Sequence, residues 1–589
     1  MGRKKRKEYS SFAGLVRKDT GGSEPGESKD EKAGADRGWT LETADGTSSG
    51  EALPASRDRV RMRIDARPDA FGPMESGPPA YRDLDSDEMG LLASFGIRTV
   101  FPEDVLAEVR NLPEDPRPRD LEGREDLRDR RIFTIDGEDA KDFDDAISIE
   151  QRDDGTVEVG VHIADVGHYV RPGTAVDAEA LARGTSVYLP DQVVPMLPEM
   201  LSNGLCSLVE GRDRLAYSVF MLFDAAGKRL EARVTKSVIR SVRRNTYAEV
   251  QALLDGESGL PKSLRRLDRD LRAFQRWTKT QQKLRDQRGS LRIQSSARKF
   301  VFDERGEVSA VIDAPRYFSN TLIEETALAA NQAVGDLFRA KGLPTIYRVH
   351  PEKDPEEIEA VAKMLAEHGI RVPKKERLTG RDIGRMIRQA RTRPNAEAMV
   401  QRIMGLVERA VYEVRGSDDV AEHFGLAREA YLHFTSPIRR YPDLIVHRWL
   451  FAVESRGEKA EVELAAEELL EDLNQTAAHA SRQAEIAEMA EYAIGDLKVC
   501  QYLEPHTGKR FEATIRRISP AGIEVLLTDF NVTGFLPMRA IGERAKVQGP
   551  TVTVRRGRRN FSFSEGRPVR VKIRDVDFQR LEVRLELET

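Results

Sequence analysis

With 589 residues the chain is longer than one ordinary domain, so several domains are expected. A net charge of −5 and an isoelectric point of about 6.1 exclude a uniformly basic nucleic-acid binder, so any basic surface must be local. The chain has only two cysteines, far apart in sequence, which excludes a disulfide framework and a zinc site. It has no apolar run of about 18 residues, which excludes a membrane span, and its N-terminus lacks the apolar core of a secretory signal. We therefore expect a cytoplasmic protein that does not bind membranes.

The N-terminal residues 1–57 open with the basic run MGRKKRK and contain few large apolar side chains. Such a segment cannot bury enough surface to offset the entropy lost on ordering, so we predict a disordered tail. Its basic tip is either a contact for RNA phosphates or simply solvated. Residues 58–113 predict a short strand in RVRMRI, a Gly- and Pro-containing loop, and helices over Asp87–Phe95 and Pro102–Asn111.

The most informative stretch is RIFTIDGEDAKDFDDAISIE, residues 131–150. Alternating apolar residues precede and follow an acidic segment, which is typical of two strands joined by a loop. The loop region carries the aspartates Asp136, Asp142, Asp144 and Asp145. Carboxylates this close repel one another unless protons or cations neutralise them, and their hard oxygens suit Mg²⁺ or Mn²⁺.

Three other interpretations of this loop compete with a metal site. A calcium loop of the EF-hand kind needs acids at alternate positions, but counting from Asp136 or Asp142 puts Ala140 or Ala146 at the fifth position. An acidic helix cap conflicts with the strand character of the residues that follow. A solvated acidic loop explains the charge but not the apolar frame. On spacing alone, the solvated loop and a metal-dependent hydrolytic site both remain open.

Beyond the loop, the turn signal Asp154-Gly155 is followed by VEVGVHIADV, which predicts a partner strand for the acidic segment. The segment 183–208 contains three prolines that forbid a continuous helix, and it carries Tyr188. This tyrosine either lies in the core or presents its ring at a pocket wall. Residues 259–288 have roughly helical spacing, typical of a surface helix.

A helix is predicted over Thr321–Val334, where Glu324 and Glu325 are adjacent and could form a solvated face. Residues 355–412 are mostly amphipathic helix. The block HFTSPIRRYPDL then sets Thr435, Ser436, Arg439 and Arg440 beside a proline. Adjacent hydroxyl and guanidinium groups suit a phosphodiester, and a purely structural arginine pair is the alternative.

The C-terminal part predicts helix over 454–500 and then short strands with Gly and Pro turns over 501–589. This alternation is typical of an OB barrel. From Lys509 to Thr589 there are 17 Lys and Arg against 10 Asp and Glu, so the basic charge is concentrated here. We expect this region to bind phosphates in a salt-dependent way.

Two motifs carry a resemblance to a known family. Thr134-Ile135-Asp136 followed by Asp142-Phe143-Asp144-Asp145-Ala146 resembles the signature of the RNB exoribonucleases, the ribonuclease II and ribonuclease R family, and the segments around Tyr188 and Arg439 are similar to it as well. The resemblance extends from about residue 86 to the end. It implies an α+β fold: an RNB catalytic domain over 114–453 with a β-sheet core and surrounding helices, a helical extension over 454–500, and a five-stranded S1-type OB barrel over 501–589. Residues 58–113 leave no room for the two cold-shock barrels usual in the family.

The same resemblance implies a 3′-to-5′ exoribonuclease that hydrolyses single-stranded RNA to nucleoside 5′-monophosphates, in RNA degradation or 3′-end processing. Asp136, Asp142, Asp144 and Asp145 would hold Mg²⁺ or Mn²⁺, and Arg439 would complete the catalytic set. Residues expected to bind RNA are Tyr188, Tyr247, Glu325, Tyr347, Arg348, Thr435, Ser436 and Arg440. We expect a monomer. A non-catalytic RNA-binding protein on a dead nuclease fold and a trimming enzyme for a few precursor ends are the alternatives.

Overall fold

A computed structural model describes residues 86–291, 298–373, 378–393, 396–416, 422–542, 545–548, 551–556 and 559–588. The tail predicted over 1–57 and the strand predicted in RVRMRI lie outside these ranges. Within them, no helix is long and apolar enough to span a bilayer.

Strands and helices alternate irregularly along the described chain. The strands are β1 Glu125–Asp126, β2 Ile132–Asp136, β3 Asp145–Gln151, β4 Val157–Ala164, β5 Val187–Tyr188, β6 Val193–Val194, β7 Asp213–Phe223, β8 Arg229–Thr246, β9 Arg298–Phe302, β10 Val308–Asp313, β11 Thr345–Val349, β12 Val411–Arg415, β13 Glu422–His423, β14 Arg428–Glu429, β15 Arg510–Ile518, β16 Gly522–Leu527, β17 Val532–Pro537, β18 Lys546–Gln548, β19 Thr551–Arg556, β20 Arg559–Ser564, β21 Pro568–Asp577 and β22 Glu582–Leu587. The helices are α1 Ser86–Ser94, α2 Glu103–Arg110, α3 Val166–Tyr169, α4 Ala175–Arg183, α5 Tyr247–Asp255, α6 Lys262–Arg265, α7 Asp268–Arg288, α8 Phe318–Ala340, α9 Pro355–Glu367, α10 Gly380–Ala390, α11 Ala396–Met404, α12 Tyr441–Arg456, α13 Glu458–Leu464, α14 Glu467–Leu503 and α15 Met538–Ile541. Short 3-10 turns cover Pro118–Asp120, Phe424–Leu426 and Glu504–His506, and a π-helical turn covers Met200–Leu205.

The central sheet has the strand order β1-β8-β2-β3-β4-β7, and β7 also pairs with β8. The 18-residue strand β8 makes this possible, because Arg229–Arg240 pairs with β7 and Ser241–Thr246 runs parallel to β2. The sheet thus curls back on itself. Ile132 and Phe133 are consecutive and point to opposite faces of β2, and both are fully buried, so this strand is covered on both sides.

Helices cover this sheet and connect it to the C-terminal domain. Helix α12 is buried along most of its length, and its Trp449 is among the largest fully buried side chains. Helix α14 runs for 37 residues. It buries small residues such as Ala477, Ala480 and Ala490, which allow neighbouring elements to approach closely.

The C-terminal domain is a closed barrel of strand order β15-β16-β17-β22-β21, filled by alternate apolar residues such as Ile515, Val525 and Leu585. A three-stranded sheet, β18-β19-β20, is a further element that the sequence did not predict. The hairpin β9–β10 belongs to the preceding domain in sequence, yet its Val311 is buried in the barrel's core cluster. The predicted α+β class, the sheet-centred domain and the five-stranded barrel are therefore confirmed.

Candidate active site

The acidic loop lies where β2 ends and β3 begins, as the sequence predicts. Its backbone is fixed by a neighbouring segment: Ser207 Oγ accepts from Phe143 N at 3.0 Å and donates to Lys141 O at 2.7 Å, and Leu208 N donates to Phe143 O at 3.0 Å. Arg244, near the end of β8, adds bonds to the carbonyl oxygens of Gly137 and Glu138, each of 2.6 Å. A loop with this many backbone anchors holds its carboxylates in preset positions.

Asp144 links the loop to the arginine segment almost 300 residues later. The residue is 5% exposed, and its Oδ1 accepts from the backbone N–H of Ile438 at 2.8 Å. Its Oδ2 lies 3.7 Å from Nε of Arg439. Burial raises the pKa of Asp144 well above its usual range, and Arg439 and the Ile438 N–H only partly oppose this.

Asp136 and Asp145 flank the same space at the facing ends of β2 and β3. Burial and the charges of Asp145 and Asp142 raise the pKa of Asp136 to about 8, while Arg244 acts in the opposite direction. Burial raises the pKa of Asp145 to about 6 against the pull of Arg439 and Arg440. These carboxyl groups are therefore short of positive charge when no cation is bound.

Tyrosines border the loop on two sides. The Tyr188 hydroxyl donates to Asp142 Oδ2 at 3.0 Å, and the Tyr188 backbone N–H donates to Glu491 of α14 at 2.7 Å. Tyr247 follows Thr246, whose backbone pairs with Asp136. Burial and the nearby Asp145 and Asp136 charges raise the pKa of Tyr247. Tyr188 is 37% exposed, so its ring is presented at a wall rather than packed in the core.

The arginine segment is organised by a buried carboxylate, Asp443, at the start of α12. Asp443 accepts from Ser436 N at 2.8 Å and from Arg440 Nε and Nη2 at 2.9 and 2.7 Å. Arg439 donates to Ser436 Oγ at 3.0 Å, and its own carbonyl accepts from the Thr185 hydroxyl and the Ser186 N–H at 3.0 Å each. Because the Arg439 side chain stays 40% exposed, its guanidinium can still reach a bound anion.

The turn that brings Tyr188 towards Arg439 depends on one glycine. Gly184 ends α4 with φ of +68°, a conformation that side chains rarely adopt. A Cβ at this position would also lie 2.7 Å from Cβ of Gln483 on α14. The carbonyl of Gly184 accepts from Tyr441 N at 3.0 Å, so the turn also anchors the start of α12.

The donor chemistry of the loop fits a hard divalent cation. Asp136 Oδ2 and Asp144 Oδ2 are buried without a hydrogen-bond partner among the described residues, which is costly unless a cation meets them. No three His, Cys, Asp or Glu side chains in the described ranges already converge as a ready cage. Asp142 accepts from the Tyr188 hydroxyl and Asp144 accepts from the Ile438 N–H.

The predicted RNA-binding residues differ in their surroundings. Thr435 and Ser436 are buried beside Arg439 and Arg440, whereas Glu325 is 1% exposed with its Oε1 3.1 Å from Arg285 Nε. Tyr347 is 4% exposed in the core. The Arg348 guanidinium lies 4.4 Å from the centroid of the Tyr412 ring. RNA contact by Glu325, Tyr347 and Arg348 stays a prediction.

Sequence reasoning missed Arg244, Asp443 and Glu491. A signal existed for two of them: Arg244 stands three residues before Tyr247, and Asp443 follows Arg440 at the i,i+3 spacing of a capping carboxylate. Glu491 reaches Tyr188 from 303 positions along the chain, and nothing in its own helical surroundings indicates that contact.

An open cleft of about 2650 Å³ adjoins the acidic loop. It is bordered by residues 137–143, by the segment around Tyr188, by the hairpin β9–β10 and by one side of α14. Carboxylates with partnerless oxygens, a half-exposed arginine and an open approach form a site suited to cleaving phosphodiester bonds.

The curled sheet with its acidic loop, the long helix and the C-terminal OB barrel define a protein of the RNB class. The family model described as the RNB domain matches residues 124–456, and that of the S1 RNA binding domain matches 504–588. The chain therefore belongs to the RNB family, the ribonuclease II and R type, and carries an S1 domain.

Its relatives agree with this assignment. Ribonuclease R of Thermotoga maritima is 39% identical over 75% of this chain, and that of Aquifex aeolicus is 36% identical over 84%. The chain spans 62% and 69% of the lengths of these two relatives. Among solved structures, the apo form of Mycoplasma genitalium RNase R matches with a TM-score of 0.73 and 25% identity, covering 85% of this chain and 78% of that one.

Proposed function

We propose that this protein is a 3′-to-5′ exoribonuclease that hydrolyses single-stranded RNA to nucleoside 5′-monophosphates, in RNA degradation or 3′-end processing. The observation that carries this proposal is the joint position of Asp144 and Arg439: one carboxylate is fixed by the Ile438 N–H beside a half-exposed guanidinium. Membership of the RNB family and the curated relatives named Ribonuclease R support the reaction class.

Asp136, Asp142, Asp144 and Asp145 would hold Mg²⁺ or Mn²⁺. The partnerless oxygens of Asp136 and Asp144 and the raised pKa of Asp136 support this, since both features mark a site short of positive charge. When bound, the ions would activate water and neutralise charge on the phosphate and the leaving oxygen.

The protein's own residues would orient the substrate. Arg439 would pair with a non-bridging phosphate oxygen, held in place by Ser436 Oγ and by the bonds from Thr185 and Ser186 to its carbonyl. Arg440 is committed to Asp443, so its role would be to hold the segment and add positive potential. Tyr188 and Tyr247 would position the terminal nucleotides, and contacts to the 2′-hydroxyl would select RNA over DNA.

Two observations support RNA as the binding partner of this protein. Mycoplasma genitalium RNase R has been solved with ribose-methylated single-stranded RNA and with double-stranded RNA. This chain carries an S1 RNA binding domain at its C-terminal end. We further propose that it acts as a cytoplasmic monomer.

The test uses one single-stranded RNA labelled at its 5′ end and another labelled at its 3′ end, incubated with Mg²⁺, Mn²⁺ or EDTA. We expect stepwise shortening of the 5′-labelled RNA and early release of labelled mononucleotide from the other, both abolished by EDTA. Mononucleotides carrying a 3′-phosphate, or cuts inside the strand, would contradict the proposal.

The same assay separates the two alternative functions. Binding without shortening under either metal would favour a non-catalytic RNA-binding protein. Comparing a long unstructured RNA with a transfer-RNA precursor would identify a trimming enzyme, which would stop after a few nucleotides on the precursor and leave the long RNA largely intact.

A further inference from the structure

The charge balance of the cleft beside the acidic loop is unusual for a nucleic-acid channel. Among the described residues that line it, 12 are Asp or Glu and 6 are Lys or Arg. An excess of acidic side chains opposes the phosphates of a strand lying in this cleft, so attraction to phosphate is a weak source of affinity here. Stacking of bases on aromatic rings is the other common source of affinity for single strands.

Most aromatic rings in the cleft are already engaged by the protein. Phe143 is 8% exposed, and the Phe300 ring packs against α14, 3.9 Å from where a Cβ on Gly495 would lie. The Tyr502 ring packs edge-on against Phe530 at 5.5 Å, and its hydroxyl bonds Ser309 O at 3.2 Å. Lys498 Nζ lies 5.8 Å from the centre of the Phe302 ring.

Tyr492 differs from these rings. It lies on α14, lines the cleft and is 63% exposed, against 37% for Tyr188. Its neighbour Glu491 accepts the backbone N–H of Tyr188, whose hydroxyl bonds Asp142. Tyr492 is therefore adjacent in sequence to Glu491, the residue that holds the Tyr188 segment beside the acidic loop.

The hairpin β9–β10 also lines the cleft and is held against α14 close to Tyr492. Arg298 of the hairpin β9–β10 pairs with Asp496 of α14 at 3.0 Å, one helical turn beyond Tyr492. The Phe300 contact and the Tyr502 bond hold the same hairpin against the helix. The hairpin thus forms a fixed wall of the cleft one helical turn from an exposed ring, an arrangement suited to holding a base.

We propose that Tyr492 is a stacking residue for a base of single-stranded RNA in this cleft, upstream of the nucleotide that reaches the acidic loop. This inference rests on the proposed function for the direction of the strand. It assigns to this chain a further aromatic contact, besides those proposed for Tyr188 and Tyr247 and on a different element.

The experiment measures binding in the Asp144→Asn background, so that RNA is not consumed. A series of RNAs carries the fluorescent base 2-aminopurine at successive positions from the 3′ end, because stacking of this base quenches its emission. Tyr492→Ala is compared with Tyr492→Phe, which keeps the ring, and with Met489→Ala. Met489 is 44% exposed on the same helix and lies outside the cleft lining, so it is the matched control.

With Tyr492 intact, we expect quenching at one internal position, and Tyr492→Ala should restore emission there while leaving positions nearer the 3′ end unchanged. Affinity for RNAs long enough to reach that position should fall roughly fivefold or more. Shorter RNAs, Tyr492→Phe and Met489→Ala should bind as the parent does. Equal quenching profiles and affinities for Tyr492→Ala and the parent would overturn the inference.

The two proposals fail in different ways. RNA that is bound and stacked on Tyr492 but never shortened by the wild-type protein would overturn the proposed function and support the stacking residue. Normal shortening of RNA by the wild-type protein, with no effect of Tyr492→Ala on stacking or affinity, would support the proposed function and overturn the stacking residue. Absence of any RNA binding would overturn both.

Discussion

The acidic loop and the C-terminal barrel use charge in opposite ways. At the loop, carboxylates are buried or half-buried, and their positions are fixed by bonds to Ile438, Tyr188 and the backbone anchors of Ser207 and Arg244. On the barrel, charged side chains stand in solvent, and several pair with each other, as Arg570 does with Glu512 and Lys572 with Glu586.

This difference indicates what each region contributes. Buried charges with a single arrangement suit chemistry, where a displacement of about 1 Å is costly. Exposed pairs are worth about 1 kcal/mol or less each and are screened by salt, so they tolerate a variable strand. Changes at the loop should therefore abolish turnover, whereas changes on the barrel should weaken binding by small, salt-dependent steps.

The largest effect is expected from Arg439→Ala. Loss of a charged donor aimed at the reacting phosphate should lower kcat about 10²- to 10³-fold. Arg439→Lys should recover only part of it, because an ammonium cannot form the planar fork. The control is Arg409→Ala, an exposed arginine paired with Glu485 and Glu488. Equal single-turnover rates for Arg439→Ala and the control would show that Arg439 takes no part in the reaction.

Asp443→Asn should have the next largest effect, through the groups that it positions. Removing its charge leaves the buried Arg440 uncompensated and loosens the Ser436 turn, so we expect kcat/KM to fall about 10- to 100-fold and Tm to fall as well. Asp336→Asn, which breaks a partly exposed pair with Arg229, is the matched control and should keep full activity. A lower Tm with unchanged kcat/KM would make Asp443 purely structural.

The stability of the metal-free protein should fall as pH rises. The folded chain holds protons on Asp136 up to a pKa of about 8 and on Asp145 up to about 6, whereas an unfolded Asp releases its proton near 3.8. The folded state thus binds more protons between these values, and the free energy of unfolding should drop by about a few kcal/mol from pH 5 to pH 8.5. Mg²⁺ should stabilise the protein more at the higher pH. Thermal unfolding as a function of pH, in EDTA and in Mg²⁺, measures both effects. Asp136→Asn should make the stability in EDTA depend less on pH.

The smallest effect is expected on the barrel. Arg516 is exposed at the irregular register of β15, so Arg516→Ala should weaken RNA binding severalfold and reduce the slope of log K against log salt by about 0.7. Arg517, already bound to Glu524, should matter less. Titrations at several salt concentrations would contradict this contrast if the two variants had the same slope.

The sequence predicts those strands and helices that are marked by a pattern among neighbouring residues. The strands around the acidic loop follow from alternation in residues 131–150, and the barrel follows from repeated short apolar strands after residue 501. Helices α1 and α2 lie within one residue or so of their predicted ends. The resemblance of two motifs to the RNB family further predicted that Asp144 and Arg439 belong to one site. No periodicity in the sequence indicates this.

What the sequence could not predict depends on contacts between distant segments. The 18-residue strand β8 pairs with both ends of the sheet, and the bond from Glu491 to the Tyr188 segment joins helix and turn across the chain. Glu324 and Glu325 are indistinguishable by pattern, yet Glu325 is buried against Arg285 because the packing of α7 on α8 decides its environment.

The catalytic role of the acidic loop is tested by comparing wild-type protein with Asp144→Asn on one 5′-labelled single-stranded RNA in Mg²⁺, measuring binding and shortening in parallel. We expect the variant to bind RNA with an affinity close to that of wild type while its rate of shortening falls by at least about a hundredfold. A variant that still shortens RNA at the wild-type rate would contradict it, because the carboxylate fixed between Ile438 and Arg439 would then have no part in the reaction.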